Sequence, residues 1–126
     1  MGLTNAGRDH IAKCLMNDTS PTFFDNAHSY LCIGDSSTAF AATQTDLQAV
    51  TNKIRKAMDS GYPTRTNNAL TFKATCATGE ANWVWNEWGI ANDSSGGVML
   101  NRKVVNLGTK ASGNWSLTVT LTVIAS

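Results

Sequence analysis

The sequence predicts a mainly β fold, an antiparallel β-sandwich or partial barrel over about residues 29–126, preceded by an N-terminal α-helix over about residues 4–17. Charged residues make up only 15% of the chain, while threonine, serine and asparagine are abundant, a composition that favours strands and turns. The segment from Trp115 onward alternates strictly between apolar and polar residues. At 126 residues the chain fits a single domain with a core of its own.

The N-terminal helix is predicted from its cap and its spacing. Thr4 is a suitable N-cap, and Pro21 stops any continuation of the helix beyond the segment "NDTSPT". Four residues share one helical stripe, which we expect to face the core: Gly7, Ile11, Cys14 and Leu15.

Residues 46–60 admit two interpretations. Thr45 to Gln48 matches a capping box, the apolar residues that follow keep helical spacing, and Gly61 with Pro63 would end a second short helix. Alternatively, Ile54 to Met58 forms an edge strand. Its basic neighbours would then protect that edge from pairing with other chains. The helical spacing favours the first interpretation, and the sequence leaves both open.

The remaining segments predict strands. "SYLCIGD" is a short apolar run that ends in a Gly-Asp turn, and "VMLNRKVVNL" is a strand with mixed faces. "LTFKATCA" alternates, with Phe72, Ala74 and Cys76 on one face. In "NWSLTVTLTVIA" the apolar residues from Trp115 to Val123 point one way and the Ser/Thr residues the other. This pattern predicts a half-buried antiparallel strand.

Charge and hydropathy argue against several classes of partner. The net charge of +1 gives no attraction to nucleic acid, and no apolar run approaches the roughly 20 residues that span a bilayer. The N-terminus has internal charges and no signal-peptide core, so we expect a protein made and kept in the cytoplasm. The three cysteines are expected to be reduced and buried.

One motif is typical of an esterase. "LCIGDSS" resembles the way that hydrolases of the GDSL type present a nucleophilic serine, here Ser36, and "DNAH" offers Asp25 and His28 as acid and base. "GIAND", residues 89–93, approximates the oxyanion block. However, the Asp-x-x-His element precedes the serine instead of following it, and the oxyanion block has one residue too many. We therefore expect a turn at Ser36 and no enzyme activity.

Metal and cofactor sites are also not expected. His10 and Cys14 lie four residues apart on the predicted helix, but a structural zinc needs four ligands. His28 and Cys32 are separated by roughly 13 Å along a strand, too far to share an ion. The glycines form no phosphate-binding loop.

The stretch "NWVWNEWGI" concentrates three of the four tryptophans. On a single strand, Trp88 and Ile90 would face the core. Trp83 and Trp85 would lie on the opposite side, where they either contact a neighbouring subunit or stack a host glycan. Both alternatives remain open on the residues alone.

Four segments follow one another in the C-terminal half: "EWGI", the turn "ANDSSGG", the strand "VMLNRK" and the strand "NWSLTVTLTV". This ordered series resembles a module of short structural proteins of tailed bacteriophages and of their tail-collar fibres. The front half, "GLTNAGRDHIAKCL" and "IGDSSTAFAATQTDL", fits the same module. The matched positions Glu87, Gly89 and Arg102 are structural, and we expect Glu87 and Arg102, on adjacent strands, to pair with one another or with turn amides.

The resemblance implies a virion structural protein, most directly a capsid decoration (cement) protein, with a tail, collar or fibre-base component as the alternative. It implies partners as well: further copies of the chain, most often as a homotrimer, and other virion proteins. Fibre proteins continue into long shafts, whereas this chain stops at Ser126, which favours decoration or collar. The residues expected at the interface are Trp83, Trp85, Glu87 and Arg102.

Overall fold

A computed structural model describes residues 2–125 and confirms the mainly β prediction, with two antiparallel sheets and one N-terminal helix. The described residues form no closed barrel. The elements in chain order are β1 (Gly2–Leu3), α1 (Asn5–Met16), β2 (Tyr30–Gly34), β3 (Lys53–Ala57), β4 (Thr64–Thr66), β5 (Ala69–Cys76), β6 (Glu87–Ala91), β7 (Met99–Val104) and β8 (Trp115–Thr122).

One sheet has five strands in the order β1-β7-β6-β2-β3, and the other has three in the order β4-β5-β8. β6 lies at the centre of the larger sheet, and all five of its residues are buried. The main core contains side chains of both sheets, including Leu31 and Ile90 from the larger sheet and Phe72 and Val119 from the smaller. Burial of this apolar surface is what holds the two sheets together.

The alternation predicted for β5 and β8 is confirmed. The two strands pair over their whole length, from Ala69 opposite Thr122 to Cys76 opposite Trp115. The even-numbered residues of β5 and the odd-numbered residues of β8 form an apolar inner face. The alternate residues of both strands form a Ser/Thr-rich outer face. Val123, predicted to point inward, is 72% exposed because it lies beyond the last residue of β8.

The predicted bounds of α1 are confirmed, but the predicted buried stripe is only partly correct: Gly7 is buried and Cys14 half-buried, whereas Ile11 and Leu15 are exposed. Thr4 caps the helix, its Oγ1 accepting the N–H of Gly7 at 2.8 Å. Gly7 faces β7 so closely that a Cβ there would lie 2.2 Å from the carbonyl oxygen of Leu100. The buried face of the helix runs through Gly7 and His10, which leaves Ile11 and Leu15 43% and 85% exposed. Among residues 2–125, no helix has the length and apolar character needed to cross a membrane.

The helix interpretation of residues 46–60 is wrong, and the edge-strand alternative is confirmed. β3 pairs only with β2 and forms an edge of the five-stranded sheet. Lys53, on this edge, is exposed, and Arg55 donates to the carbonyl oxygens of Asp93 and Gly96 at 2.7 and 2.9 Å. Basic side chains therefore lie along this edge, where they discourage pairing with another chain.

Candidate functional site

The most unusual feature of the interior is an ion pair between Glu87 on β6 and Arg102 on β7. Both side chains are completely buried, and Arg102 Nε donates to Glu87 Oε1 at 2.8 Å. This is the pairing that the sequence predicts for two adjacent strands. Removing two charges from water costs free energy, which further hydrogen bonds to the buried groups offset. The contacts around the pair therefore determine how much it contributes to the fold.

The Glu87 carboxylate binds the backbone of the segment 35–52, which we call the covering segment. Oε2 accepts the N–H groups of Ser36 and Ala49 at 3.2 and 2.9 Å, and Oε1 accepts the N–H of Gln48 at 2.8 Å. With the bond from the guanidinium, each carboxylate oxygen accepts two hydrogen bonds. One side chain therefore fixes both ends of an irregular segment.

The Arg102 guanidinium binds the middle of the same segment. Its Nη1 donates to the carbonyl oxygen of Thr38 at 2.9 Å and to Oε1 of Gln44 at 3.1 Å. Leu47 is 3% exposed and packs in a small apolar cluster with Cys32 of β2. The covering segment thus closes the face of the five-stranded sheet that points away from the smaller sheet.

Gly34 leaves room for the Glu87 carboxylate. Gly34 lies opposite Glu87 in the β2–β6 pairing, and a Cβ at Gly34 would lie 2.4 Å from Glu87 Oε2. Gly89 lies opposite Arg102 in the β6–β7 pairing. The "Gly-Asp" that ends β2 is therefore explained by the space that the carboxylate needs.

The tryptophans take different positions. Trp85 is 2% exposed, its Nε1 donates to the carbonyl oxygen of Ala81 at 3.0 Å, and its ring packs edge-on against Trp115 at 5.2 Å. Trp88 is 6% exposed in the main core, as expected, and Trp83 is half-buried.

This placement corrects the expectation for most of the interface candidates. Trp85, Glu87 and Arg102 are all buried within the chain itself, so they have no surface to offer a neighbouring subunit. Only Trp83 keeps partial exposure. The two-indole platform for a host glycan is not formed, because Trp85 belongs to the core.

Lys110 is a structural residue that sequence reasoning missed. Its side chain is 1% exposed, and its Nζ donates to the carbonyl oxygens of Ala77 and Thr78 and to Oδ1 of Asn82, at 2.8, 3.3 and 2.7 Å. It ties the turn that precedes the tryptophans to the segment before β8. No local pattern marks a lone lysine in "GTKASG" as buried.

Large apolar side chains on the surface form a second group that the sequence did not indicate. Leu15 and Met16, at the end of α1, are 85% and 82% exposed, and Val50, in the covering segment, is 94% exposed. A monomer gains no stability from such side chains in water. They mark the surfaces on which a partner would gain most by covering them.

Asp46 forms the charged rim of the covering segment. Its carboxylate contacts Lys53 at 3.1 Å and Arg55 at 3.3 Å. Partial burial raises the pKa of Asp46, but hydrogen bonds from Lys53 and from the Leu47 amide outweigh this and lower it below its ordinary value. The side chain is 41% exposed, so the pair is screened by solvent.

The residues of the esterase-like motif do not come together. Asp25 and His28 contact each other at 2.7 Å before β2 begins, whereas Ser36 follows β2 and its hydroxyl bonds Thr38 at 2.9 Å. A five-residue strand, roughly 16 Å long, separates the two groups. The Ser-His contact that activates a serine nucleophile is thus not made.

The residues considered as metal ligands do not form a metal site among the described residues. His10 is buried with its ring edge-on to Phe24, and His28 is exposed. Residues 2–125 hold no group of three or more His, Cys, Asp or Glu side chains that is able to bind a metal ion. Burial raises the pKa of the Cys32 thiol to about 12, so it stays protonated at neutral pH.

No protein-family model matches this sequence, and none of the curated proteins matches it either. The resemblance to phage structural proteins therefore depends on the residues of the chain and on the positions that they take in the fold.

Proposed function

We propose that the protein is a structural subunit of a tailed-bacteriophage virion, most directly a capsid decoration protein that stabilises the particle through contacts between subunits. The observation that carries the proposal concerns the three positions matched in the resemblance. Glu87, Gly89 and Arg102 lie on adjacent strands and form one buried cluster, with Gly89 opposite Arg102 and a 2.8 Å bond between the charged groups. The resemblance gives these positions a structural role, and their contacts in the fold agree with such a role.

The surface supports the same proposal. A decoration protein gains its affinity from area and from repeated copies on a lattice, not from a deep pocket. Leu15, Met16 and Val50 offer exposed apolar contacts, while the esterase-like residues are separated. The partners proposed are further copies of the chain and other virion proteins, with the homotrimer implied by the resemblance as the expected assembly.

Quantitative mass spectrometry of purified particles, from a culture that produces the chain, tests the proposal. We expect the chain to remain with the particles through a density gradient, in a fixed ratio to the major capsid protein. A ratio comparable to that of the capsid protein supports decoration. A ratio typical of a single ring supports a tail, collar or fibre-base component instead. Absence of the chain from intact particles would refute a virion role.

Particles assembled without the chain provide a second measurement. If the protein is a decoration subunit, such particles should release their genome at a lower temperature than complete ones. Adding the purified protein back should restore the release temperature. Unchanged heat stability without the protein would exclude the stabilising role.

A further inference from the structure

The outer edge of β8 is free. β8 is the last strand in the order β4-β5-β8 and pairs only with β5. Within residues 2–125, the backbone groups of residues 115–122 take part in no hydrogen bond other than those with β5. Half of the N–H and C=O groups of an edge strand point away from its one neighbour, so β8 presents a row of unused donors and acceptors.

The ladder shows which residues carry these groups. Val123 N donates to the carbonyl oxygen of Asn68 at 2.9 Å, and this pair continues the β5–β8 pairing. In an antiparallel pair, hydrogen-bonded positions alternate with positions that face outward. The odd-numbered residues of β8 therefore bond β5, and the even-numbered ones have outward N–H and C=O groups. These residues are Ser116, Thr118, Thr120 and Thr122.

The other sheet edges are protected, and β8 is not. β3 has three basic residues, β4 has three residues including Arg65, and the described part of β1 is two residues long. β8 has eight residues, its pairing with β5 contains no bulge, and no charged residue or proline occurs anywhere after Lys110. An edge that is long, regular and uncharged is a template for pairing with another strand.

We infer that β8 pairs in antiparallel orientation with β8 of a second copy, around a two-fold axis at Val119. Because only even-numbered residues have free backbone groups, even positions must lie opposite even positions. In this register Thr118 lies opposite Thr120 of the second copy, and Leu117 opposite Leu121. The free backbone groups and the alternation of side chains thus both require even positions to lie opposite even positions. In the joined sheet, the Ser/Thr residues of the two copies lie on one face and the apolar residues on the other.

When Val123 is counted with β8, because its N–H continues the ladder, the axis at Val119 gives the longest overlap, residues 115–123 of both copies. It places Val123, which is 72% exposed, opposite the half-buried Trp115 of the second copy. The two three-stranded sheets become one sheet of six strands. A second copy fits this edge better than an unrelated strand, because β8 matches its own length and its own pattern on both faces.

The β8 contact specifies the surface through which copies of the chain associate in the proposed function. In this respect the inference rests on that function. Each copy has one such edge, so the contact closes after two copies. The homotrimer implied by the resemblance would use a different surface, and the β8 contact would then join neighbouring trimers.

A charge-swap pair of variants tests the register. In T118E/T120E, glutamates of the two copies lie opposite one another, whereas in T118E/T120K each glutamate lies opposite a lysine. Within the chain, position 118 lies opposite Lys73 of β5, so the new glutamate is tolerated in both variants. Analytical ultracentrifugation over a concentration series measures the dissociation constant, and circular dichroism with tryptophan fluorescence verifies folding.

We expect the wild-type protein to associate through β8, as pairs of chains or as joined trimers, T118E/T120E to associate at least about tenfold more weakly, and T118E/T120K to recover this loss at low salt. The inference is overturned if the wild type is a monomer or a discrete trimer, if T118E/T120E associates as strongly as the wild type, or if both double variants weaken association equally. None of these results depends on whether the chain is found in particles, so failure here is distinct from failure of the virion proposal.

Discussion

Replacing Glu87 by glutamine should strongly destabilise the fold. The substitution conserves size, but it replaces one carboxylate oxygen by an NH₂ group. Oε1 and Oε2 each accept two hydrogen bonds, so two donors lose their acceptor whichever oxygen is replaced. Arg102 is then left as a buried charge without its counter-ion.

Breaking one partner of a buried ion pair costs about 3–5 kcal/mol. A domain has a total free energy of unfolding of about 5–15 kcal/mol. The variant should therefore lose a large fraction of its stability, with the urea midpoint lowered by roughly 2 M and the melting temperature by roughly 10–20 °C. Tryptophan fluorescence follows the transition, because Trp85 and Trp88 are buried.

The matched control is Asp46→Asn, which removes a carboxylate from a solvent-exposed ion pair and should cost less than about 1 kcal/mol at neutral pH. Hydrogen exchange provides a local readout: the amides of Ser36, Gln48 and Ala49 should exchange faster in Glu87→Gln than in the control. A Glu87→Gln protein within about 1 kcal/mol of the wild type would refute the reasoning.

Three further predictions concern single positions. Gly34→Ala should lower the urea midpoint, since the added Cβ would lie 2.4 Å from a carboxylate oxygen, and an unchanged midpoint would contradict the contact. The pKa of Asp46 is lowered from 3.8, so its contribution is present above that pH and lost below it. The difference in free energy of unfolding between wild type and Asp46→Asn should shrink as the pH falls below about 4 in urea titrations, and a constant difference would contradict this. At pH 8, Ellman's reagent should label the partly exposed Cys14 in the folded protein but Cys32 only after unfolding, because burial raises the pKa of Cys32 to about 12, and equal labelling rates would contradict that burial.

The parts of the fold that the sequence predicted correctly depend on local patterns. β8 alternates without interruption, and the packing of one face against the core follows from that alternation. Thr4 caps α1 through its own side chain, so the start of the helix could also be predicted from the sequence. The pairing of Glu87 with Arg102 was predicted because their strands were expected to be neighbours.

The errors arise where a distant residue determines the local structure. Thr45 to Gln48 has the pattern of a capping box, yet the amides of Gln48 and Ala49 bond the carboxylate of Glu87, which lies 39 and 38 residues further along the chain. The buried face of α1 includes His10, which packs edge-on against Phe24, and a search for apolar spacing does not select a histidine.

The way in which Glu87 holds the covering segment has a consequence for sequence variation. Its contacts there are to backbone N–H groups, which every residue except proline provides. The segment is therefore free to diverge in side-chain identity at Ser36 and Gln48 while keeping its path.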